Sequence, residues 1–150
     1  MKLSDLLDEA VVQVSLESED KEEVFAELIE LLVRAGKITD RGRAIDAILT
    51  REKVATTGIG NGVAVPHGKD SSVPQLVAAV GLSEDGIEYD AADGAPVHVV
   101  FLILAEAGNP GPHVQCLGEI ARLLQVPGFS DRLRQATSAE DALAIIRAEE

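Results

Sequence analysis

The stretch that decides the fold reads Thr56-Thr57-Gly58-Ile59-Gly60-Asn61-Gly62-Val63-Ala64-Val65-Pro66-His67-Gly68-Lys69. Its three spaced glycines permit a tight reversal of two strands or a backbone that lies close to a ligand. Taken alone, the glycines favour a glycine-rich hairpin. A dinucleotide-binding motif does not fit, because its third glycine would fall at Val63 and no helical pattern follows. The phosphate-cradling pattern G-x-x-x-x-G-K-[ST] is absent as well.

His67 is the candidate for chemistry in this stretch. The pattern predicts a short strand over Val63–Val65 that delivers the histidine at its end. Pro66 fixes the backbone before it, and we expect Gly68 to leave the space beyond it open. A neutral imidazole is a good nucleophile near pH 7 and can hold a phosphoryl group as a labile phosphoramidate. Taken alone, a single histidine at a strand end is more often an ordinary surface or core residue.

Helical patterns precede this stretch. Asp20 and Glu23 form a capping-box pair at the start of an apolar helical repeat, and Gly36 is placed to end it. Ala44, Ile45, Ile48 and Leu49 are the inward residues of the helix that follows. In chain order, the predicted elements are a short helix over Leu3–Glu9, a strand over Val11–Val14, the capped helix, and a helix over Asp40–Arg51.

Two apolar runs, Leu76–Leu82 and Val97–Leu104, follow the stretch and predict buried strands, with a turn at Asp93-Gly94 before the second run. The C-terminal third returns to helical patterns. Leu117, Ile120, Ala121 and Leu124 mark one apolar face, Pro127-Gly128 ends that helix, Ser130 and Ser138 are predicted caps, and Asp141 pairs with Ser138. Helices before, between and after strands predict a single α/β domain whose sheet is covered on both faces.

Composition limits the classes of partner. The 150 residues suit one domain, and the formal net charge of -13 argues against binding nucleic acid or anionic lipid. No segment approaches the roughly 20 apolar residues of a membrane span, so no membrane insertion is expected. Cys116 is the single cysteine, which excludes an intramolecular disulfide. We therefore expect a cytoplasmic protein.

The stretch from Thr56 to Lys69 resembles the active-site motif of the fructose/mannitol type of enzyme IIA of the sugar phosphotransferase system, including its nitrogen-regulatory branch. In that family a T-G-I-G-x-G-x-A-x-P-H-G pattern ends in the phosphorylated histidine. The resemblance extends over most of the chain. Further matches are Lys21-Glu22-Glu23, Gly36-Lys37-Ile38, Arg51-Glu52, Asp93-Gly94-Ala95-Pro96-Val97 and His113.

This resemblance implies an IIA type-2 domain over residues 1–150, with a mixed sheet of about five strands sandwiched between helices. It implies a phosphotransferase that works as a phosphohistidine carrier without a cofactor. The donor would be an HPr-type phosphocarrier protein, and the recipient a IIB domain or a regulatory target. The sequence of the run Arg51–Gly62 is most similar to the motif of the nitrogen-regulatory branch, and the chain is expected to be a free-standing domain. Nitrogen-type regulation is therefore favoured over sugar uptake.

The resemblance also assigns residues. His67 would attack through Nε2, with Nδ1 turned toward the backbone. Arg51 matches the active-site arginine, whose guanidinium can bind phosphoryl oxygens. His113 matches a second histidine that assists without carrying phosphate. The predicted supports of the phosphate loop are Thr57, Gly58, Gly60 and Gly68.

Other interpretations remain open. A non-catalytic regulatory module would keep the fold and signal by binding alone, and a sugar-specific IIA would donate phosphate to a IIB domain. A metal site on His67 and His113 is disfavoured, since the two histidines lack an H-x-x-H spacing or clustered carboxylates. His98 lies within an apolar run and is interpreted as structural, and Cys116 as inert packing.

Overall fold

A computed structural model describes all of residues 1–150 and contains a mixed sheet of six strands. The sheet path runs β1-β5-β6-β3-β2, with β4 also paired to β6. The β5–β6 and β2–β3 pairs are antiparallel, and the other pairs are parallel. The strands are β1 (Val12–Gln13), β2 (Gly58–Gly60), β3 (Val63–Ala64), β4 (His67–Asp70), β5 (Val77–Ile87) and β6 (Val97–Glu106).

Strands β3 and β4 follow one another along the same side of β6. Ala64 is registered with Val100, and His67 is registered with Ile103. Pro66 lies between the two strands and has no N–H to donate, although its carbonyl still accepts from the Ile103 amide. This break divides one line of chain into two strands, so the sheet has six strands where about five were expected. It also places His67 at the start of β4.

Five α-helices flank the sheet. Helix α1 packs on α2, and α4 packs on α3 and α5. Strand β6 is buried along nearly its whole length and β5 over its first seven residues, as expected for a sheet that is covered on both faces. No helix combines the length and apolar character that a membrane crossing requires. The helices are α1 (Lys21–Arg34), α2 (Arg41–Glu52), α3 (Pro110–Leu124), α4 (Phe129–Arg134) and α5 (Ala139–Ala148).

The predicted N-caps Asp20 and Ser138 and the glycine stop at Gly36 are confirmed. The Asp20 carboxylate accepts from the Glu23 amide, and Asp40 caps α2 in the same way. At the C-terminus of α1, the Gly36 amide donates to the Val33 carbonyl and the Lys37 amide to the Leu32 carbonyl. With Gly36 at φ 72°, these two bonds form a Schellman motif. Ser138 accepts from the Asp141 amide at the start of α5.

Three sequence expectations are wrong in detail. The predicted helix over Leu3–Glu9 is two short 3₁₀ helices, Leu3–Leu6 and Glu9–Val11. Ser130 lies inside α4, whose N-cap is Gly128 at φ 76°; glycine takes this left-handed conformation at little cost. Ala121 is exposed, because the buried stripe of α3 runs through Cys116, Ile120 and Leu123.

Candidate phosphoryl-transfer site

His67 is held by the backbone two residues before it. Its Nδ1 lies 2.8 Å from the carbonyl oxygen of Val65. A carbonyl oxygen only accepts hydrogen bonds, so Nδ1 must carry the proton of the neutral ring. The lone pair of the neutral imidazole is then on Nε2. This orientation of Nδ1 is the one that the resemblance implies.

Gly68 does not leave open space beyond His67, which corrects the sequence expectation. It is buried, and a Cβ built on it would lie 2.8 Å from both the carbonyl carbon and the carbonyl oxygen of Ala47. The glycine is therefore needed for the backbone of β4 to lie directly against α2. This close packing fixes the position of His67 relative to the last turn of that helix.

The structure brings His113 next to His67. The two ring centroids are 5.4 Å apart, and the rings meet edge to face with an interplanar angle of 72°. His113 lies in the first turn of α3, which begins at Pro110; proline is well suited to that position because its N–H would have no partner. Nε2 of His113 is the one buried side-chain nitrogen or oxygen in the protein that has no hydrogen-bond partner.

Desolvation at this position lowers the pKa of His113, and the electrostatic interactions with His67 and then with Lys69 lower it further. His113 is therefore neutral at pH 7, and its buried Nε2 has an unused hydrogen-bonding position. A buried polar atom without a partner costs free energy, which a hydrogen bond to a bound group would recover.

Arg51 lines the same cavity as His67. This cavity has a volume of about 850 Å³, and its wall also includes Lys69, His113 and the paired Arg43. The Arg51 guanidinium donates to the carbonyl of Ala55 at 3.0 Å, which anchors one of its nitrogens. Lys69 is exposed and has no ion-pair partner. Two cationic side chains, Arg51 and Lys69, thus line the cavity that contains His67.

The predicted support residues take different positions. Thr57 is 4% exposed and lines a smaller cavity of about 230 Å³ together with His67 and Arg51. Gly58 lines neither cavity that includes His67; its Cβ would lie 2.8 Å from Ala91, so it permits close packing of β2. Gly60, at φ 97°, is the last residue of β2, directly before the turn at Asn61-Gly62, and lines a different cavity from His67.

Sequence reasoning assigned no role to two residues that the structure places here. Lys69 ends the motif, but only the fold shows that it shares the cavity with both histidines. The carboxylate of Glu52 accepts from the backbone N–H and the hydroxyl of Thr57, at 2.8 and 2.6 Å. Its position directly after Arg51 was a usable signal, although its partners lie outside the helix.

The two other residues considered in the sequence, His98 and Cys116, have structural roles. Nδ1 of His98 donates to the carbonyl of Ser83 at 2.9 Å, as expected for a structural histidine. Cys116 is fully buried, and burial followed by the charge of Glu119 raises the pKa of its thiol to about 11, so it is inert packing. No three histidine, cysteine, aspartate or glutamate side chains converge in a metal-binding arrangement.

Comparison with known proteins assigns the fold and the family. The family described as "Phosphoenolpyruvate-dependent sugar phosphotransferase system, EIIA 2" matches residues 5–149. The crystal structure of nitrogen regulatory protein IIA-Ntr from Neisseria meningitidis superposes with a TM-score of 0.88 and 28% identity, covering 96% of this chain and 98% of that one.

Two curated relatives represent two kinds of function. The fructose-specific EIIABC component from Bacillus subtilis (strain 168) is 38% identical over 97% of this chain, which spans 23% of that longer protein. The nitrogen regulatory protein from Bradyrhizobium diazoefficiens is 32% identical, with 97% of this chain and 95% of that protein covered. Sugar-specific and nitrogen-regulatory proteins therefore both share this domain.

Proposed function

The chain belongs to the EIIA 2 family of the phosphotransferase system and is a phosphocarrier of that system, and from this premise we propose that Nε2 of His67 is its phosphoryl acceptor. The observation that carries the proposal is the 2.8 Å hydrogen bond between Nδ1 of His67 and the Val65 carbonyl. It leaves a lone pair on Nε2 in a ring whose orientation is already fixed. The domain that performs this transfer spans residues 1–150.

In the proposed step, the lone pair of Nε2 attacks the phosphorus of a phosphohistidine on an HPr-type protein. The P–N bond of the donor breaks as the new P–N bond forms, and its electron pair returns to the donor imidazole. The proton on Nδ1 stays in place, so the phosphorylated ring carries positive charge that the Val65 carbonyl stabilises. No cofactor or metal takes part in this scheme.

Three side chains support the transferred phosphoryl group. Arg51 and Lys69 supply positive charge where negative charge spreads over the phosphoryl oxygens in a loose transition state. We infer that Nε2 of His113, which has no partner within the protein, donates a hydrogen bond to one of those oxygens when it carries the proton. His113 assists in this way without carrying phosphate.

The surface around His67 suits a protein partner. Three of the four large apolar side chains that are exposed, Val54, Ile59 and Val114, line the two cavities that include His67. Burying them against a partner would exclude water and so protect the labile phosphohistidine. An HPr-type donor and then a IIB domain or a regulatory target would use this surface in turn.

Nitrogen-type regulation is the first candidate role, in the cytoplasm, where the free Cys116 would stay reduced. It is supported by the wording of the motif from Arg51 to Gly62 and by the match to nitrogen regulatory proteins over nearly their whole length. Adding close to two negative charges at His67 would change which regulatory partner binds there. Donation to a IIB domain in sugar uptake is the second candidate, favoured by the 38% identity to the fructose-specific protein.

The test combines the purified chain with phosphoenolpyruvate, enzyme I and an HPr-type protein. We expect one acid-labile phosphoryl group per chain, and none on the His67→Ala variant. His98→Ala is the matched control and should label like the wild type. Equal labelling of His67→Ala would contradict the proposal, and an unlabelled wild type would favour a module that signals by binding alone.

The same phosphoprotein separates the two roles. We would present it to candidate sugar-specific IIB domains and follow the phosphoryl group with time. Efficient transfer from His67, followed by phosphorylation of a sugar, would establish the uptake role and contradict the regulatory one. Retention of the phosphoryl group, with partner binding that changes on phosphorylation, is the result expected for regulation.

A further inference from the structure

Glu52 is a buried carboxylate at the C-terminal end of α2. Its side chain is 6% exposed, and it pairs with Nζ of Lys21 at 3.0 Å. It also accepts from the backbone N–H of Thr57 at 2.8 Å and from the Thr57 hydroxyl at 2.6 Å. A buried charge is tolerated when it is paired and hydrogen-bonded, and these three donors meet that condition.

The proton directions around Thr57 follow from the chemistry of the groups. An ionised carboxylate only accepts, so the Thr57 hydroxyl donates to Glu52. The hydroxyl of Tyr89 lies 2.6 Å from the Thr57 oxygen and must then be the donor to it. Burial raises the pKa of Tyr89, which keeps its proton in place. Thr57 is thus fixed at both its side chain and its backbone.

This arrangement leads to the ring of His67 through two further bonds. The carbonyl of Thr57 accepts from the Val65 amide at 3.0 Å, across the hairpin of β2 and β3. The carbonyl of Val65 accepts from Nδ1 of His67 at 2.8 Å. No other protein group forms a hydrogen bond with either ring nitrogen of His67. The position of one carbonyl therefore decides which tautomer the ring adopts.

We propose that Glu52 is a positioning residue for His67, which it holds in the Nδ1–H tautomer through Thr57 and Val65. The inference rests on the proposed function of His67 as phosphoryl acceptor and names the residue that prepares it. If the Val65 carbonyl shifts, the ring is free to adopt the other tautomer, in which Nε2 carries the proton and has no lone pair for attack. A smaller fraction of His67 rings would then be in the reactive tautomer in a Glu52 variant, even though the variant keeps every group proposed to contact the phosphoryl group.

The experiment measures the tautomer directly, by nitrogen-15 NMR of the imidazole of His67 in the unphosphorylated protein. Glu52→Gln keeps the side-chain volume but removes the charge and one acceptor oxygen. We expect the Nδ1–H form to dominate in the wild type and a mixture in the variant, with phosphoryl acceptance slowed about ten-fold. Glu119→Gln, which likewise removes the charge of a mostly buried carboxylate, here paired with Arg122, is the matched control and should match the wild type in both measurements.

Two variants of Thr57 provide a second measurement that does not depend on the folding of Glu52→Gln. Thr57→Ser keeps the hydroxyl, so His67 should retain the Nδ1–H form. Thr57→Val removes the hydroxyl, so His67 should shift toward a mixture of the two tautomers. An unchanged tautomer in Glu52→Gln, or in Thr57→Val if Glu52→Gln does not fold, would overturn the inference. The NMR measurement needs no phosphoryl donor, so it tests the inference even if the wild type is not phosphorylated at His67. A failure of phosphorylation would contradict only the proposed function.

Discussion

The rings of His67 and His113 meet edge to face with their centroids 5.4 Å apart, and Nε2 of His113 is buried without a partner. A neutral hydrogen-bonding group therefore lies beside the proposed acceptor and adds no charge of its own at pH 7. We expect His113→Ala to accept the phosphoryl group on His67 but to pass it on at least about five-fold more slowly. Rapid-quench measurement of both half-reactions checks this, with His98→Ala as control. Wild-type rates in both directions would assign His113 a structural role.

Arg51 is expected to matter most at the transition state. Its guanidinium is held by the Ala55 carbonyl and lines the cavity beside His67. Arg51→Ala should slow phosphoryl acceptance about ten-fold or more, equivalent to about 1.4 kcal/mol or more in the barrier. Arg51→Lys should recover part of the rate, because it restores charge without the bidentate geometry. Rapid quench measures both, and Arg132→Ala, a surface ion-pair variant, should behave as wild type.

The lowered pKa of His113 makes a prediction about stability and pH. Between that lowered value and the ordinary value of 6.5, the unfolded chain binds more protons than the folded one, so stability rises with pH. This contribution is complete above pH 6.5 and is lost as the pH falls below it. Urea unfolding followed by circular dichroism gives the free energy of unfolding at about pH 7.5 and about pH 5.5. This free energy should fall less between the two pH values in His113→Gln than in the wild type.

His98→Gln is the control for that comparison and should lose stability on acidification as the wild type does. The carboxyl groups whose pKa values are lowered, such as Glu30 and Asp70, titrate at a lower pH and do not contribute in this window. If His113→Gln loses as much free energy of unfolding on acidification as the wild type does, another group is responsible for the loss.

The apolar surface around His67 should contribute to partner affinity. Val114 is 67% exposed on α3, and Ile59 is 55% exposed on β2. Val114→Asp or Ile59→Asp should weaken binding of an HPr-type protein about ten-fold, or about 1.4 kcal/mol, while leaving the fold unchanged. Titration calorimetry measures the affinity. Gln135→Asp adds the same charge on an exposed site outside these cavities and should have little effect; an equal loss there would indicate general charge repulsion instead.

Much of the fold is predictable because its signals are local. The cap at Asp20, the glycine stop at Gly36 and the Ser138–Asp141 pair each involve residues within about four positions of one another. The apolar runs that became β5 and β6 are long enough to be recognised on their own. The N-cap of α4 was misplaced because Gly128 acts through a left-handed backbone conformation and offers no side-chain cap.

By itself, the sequence determined the α/β class, the family motif and the identity of His67 as the candidate acceptor, since each depends on composition, periodicity or a contiguous pattern. The tertiary structure decided how that histidine is prepared. The approach of His113, the packing of Gly68 on Ala47 and the bond between Thr57 and Tyr89 join segments that are distant in the chain. Such contacts depend on how the strands and helices are arranged in space, and no local spacing in the sequence encodes that arrangement.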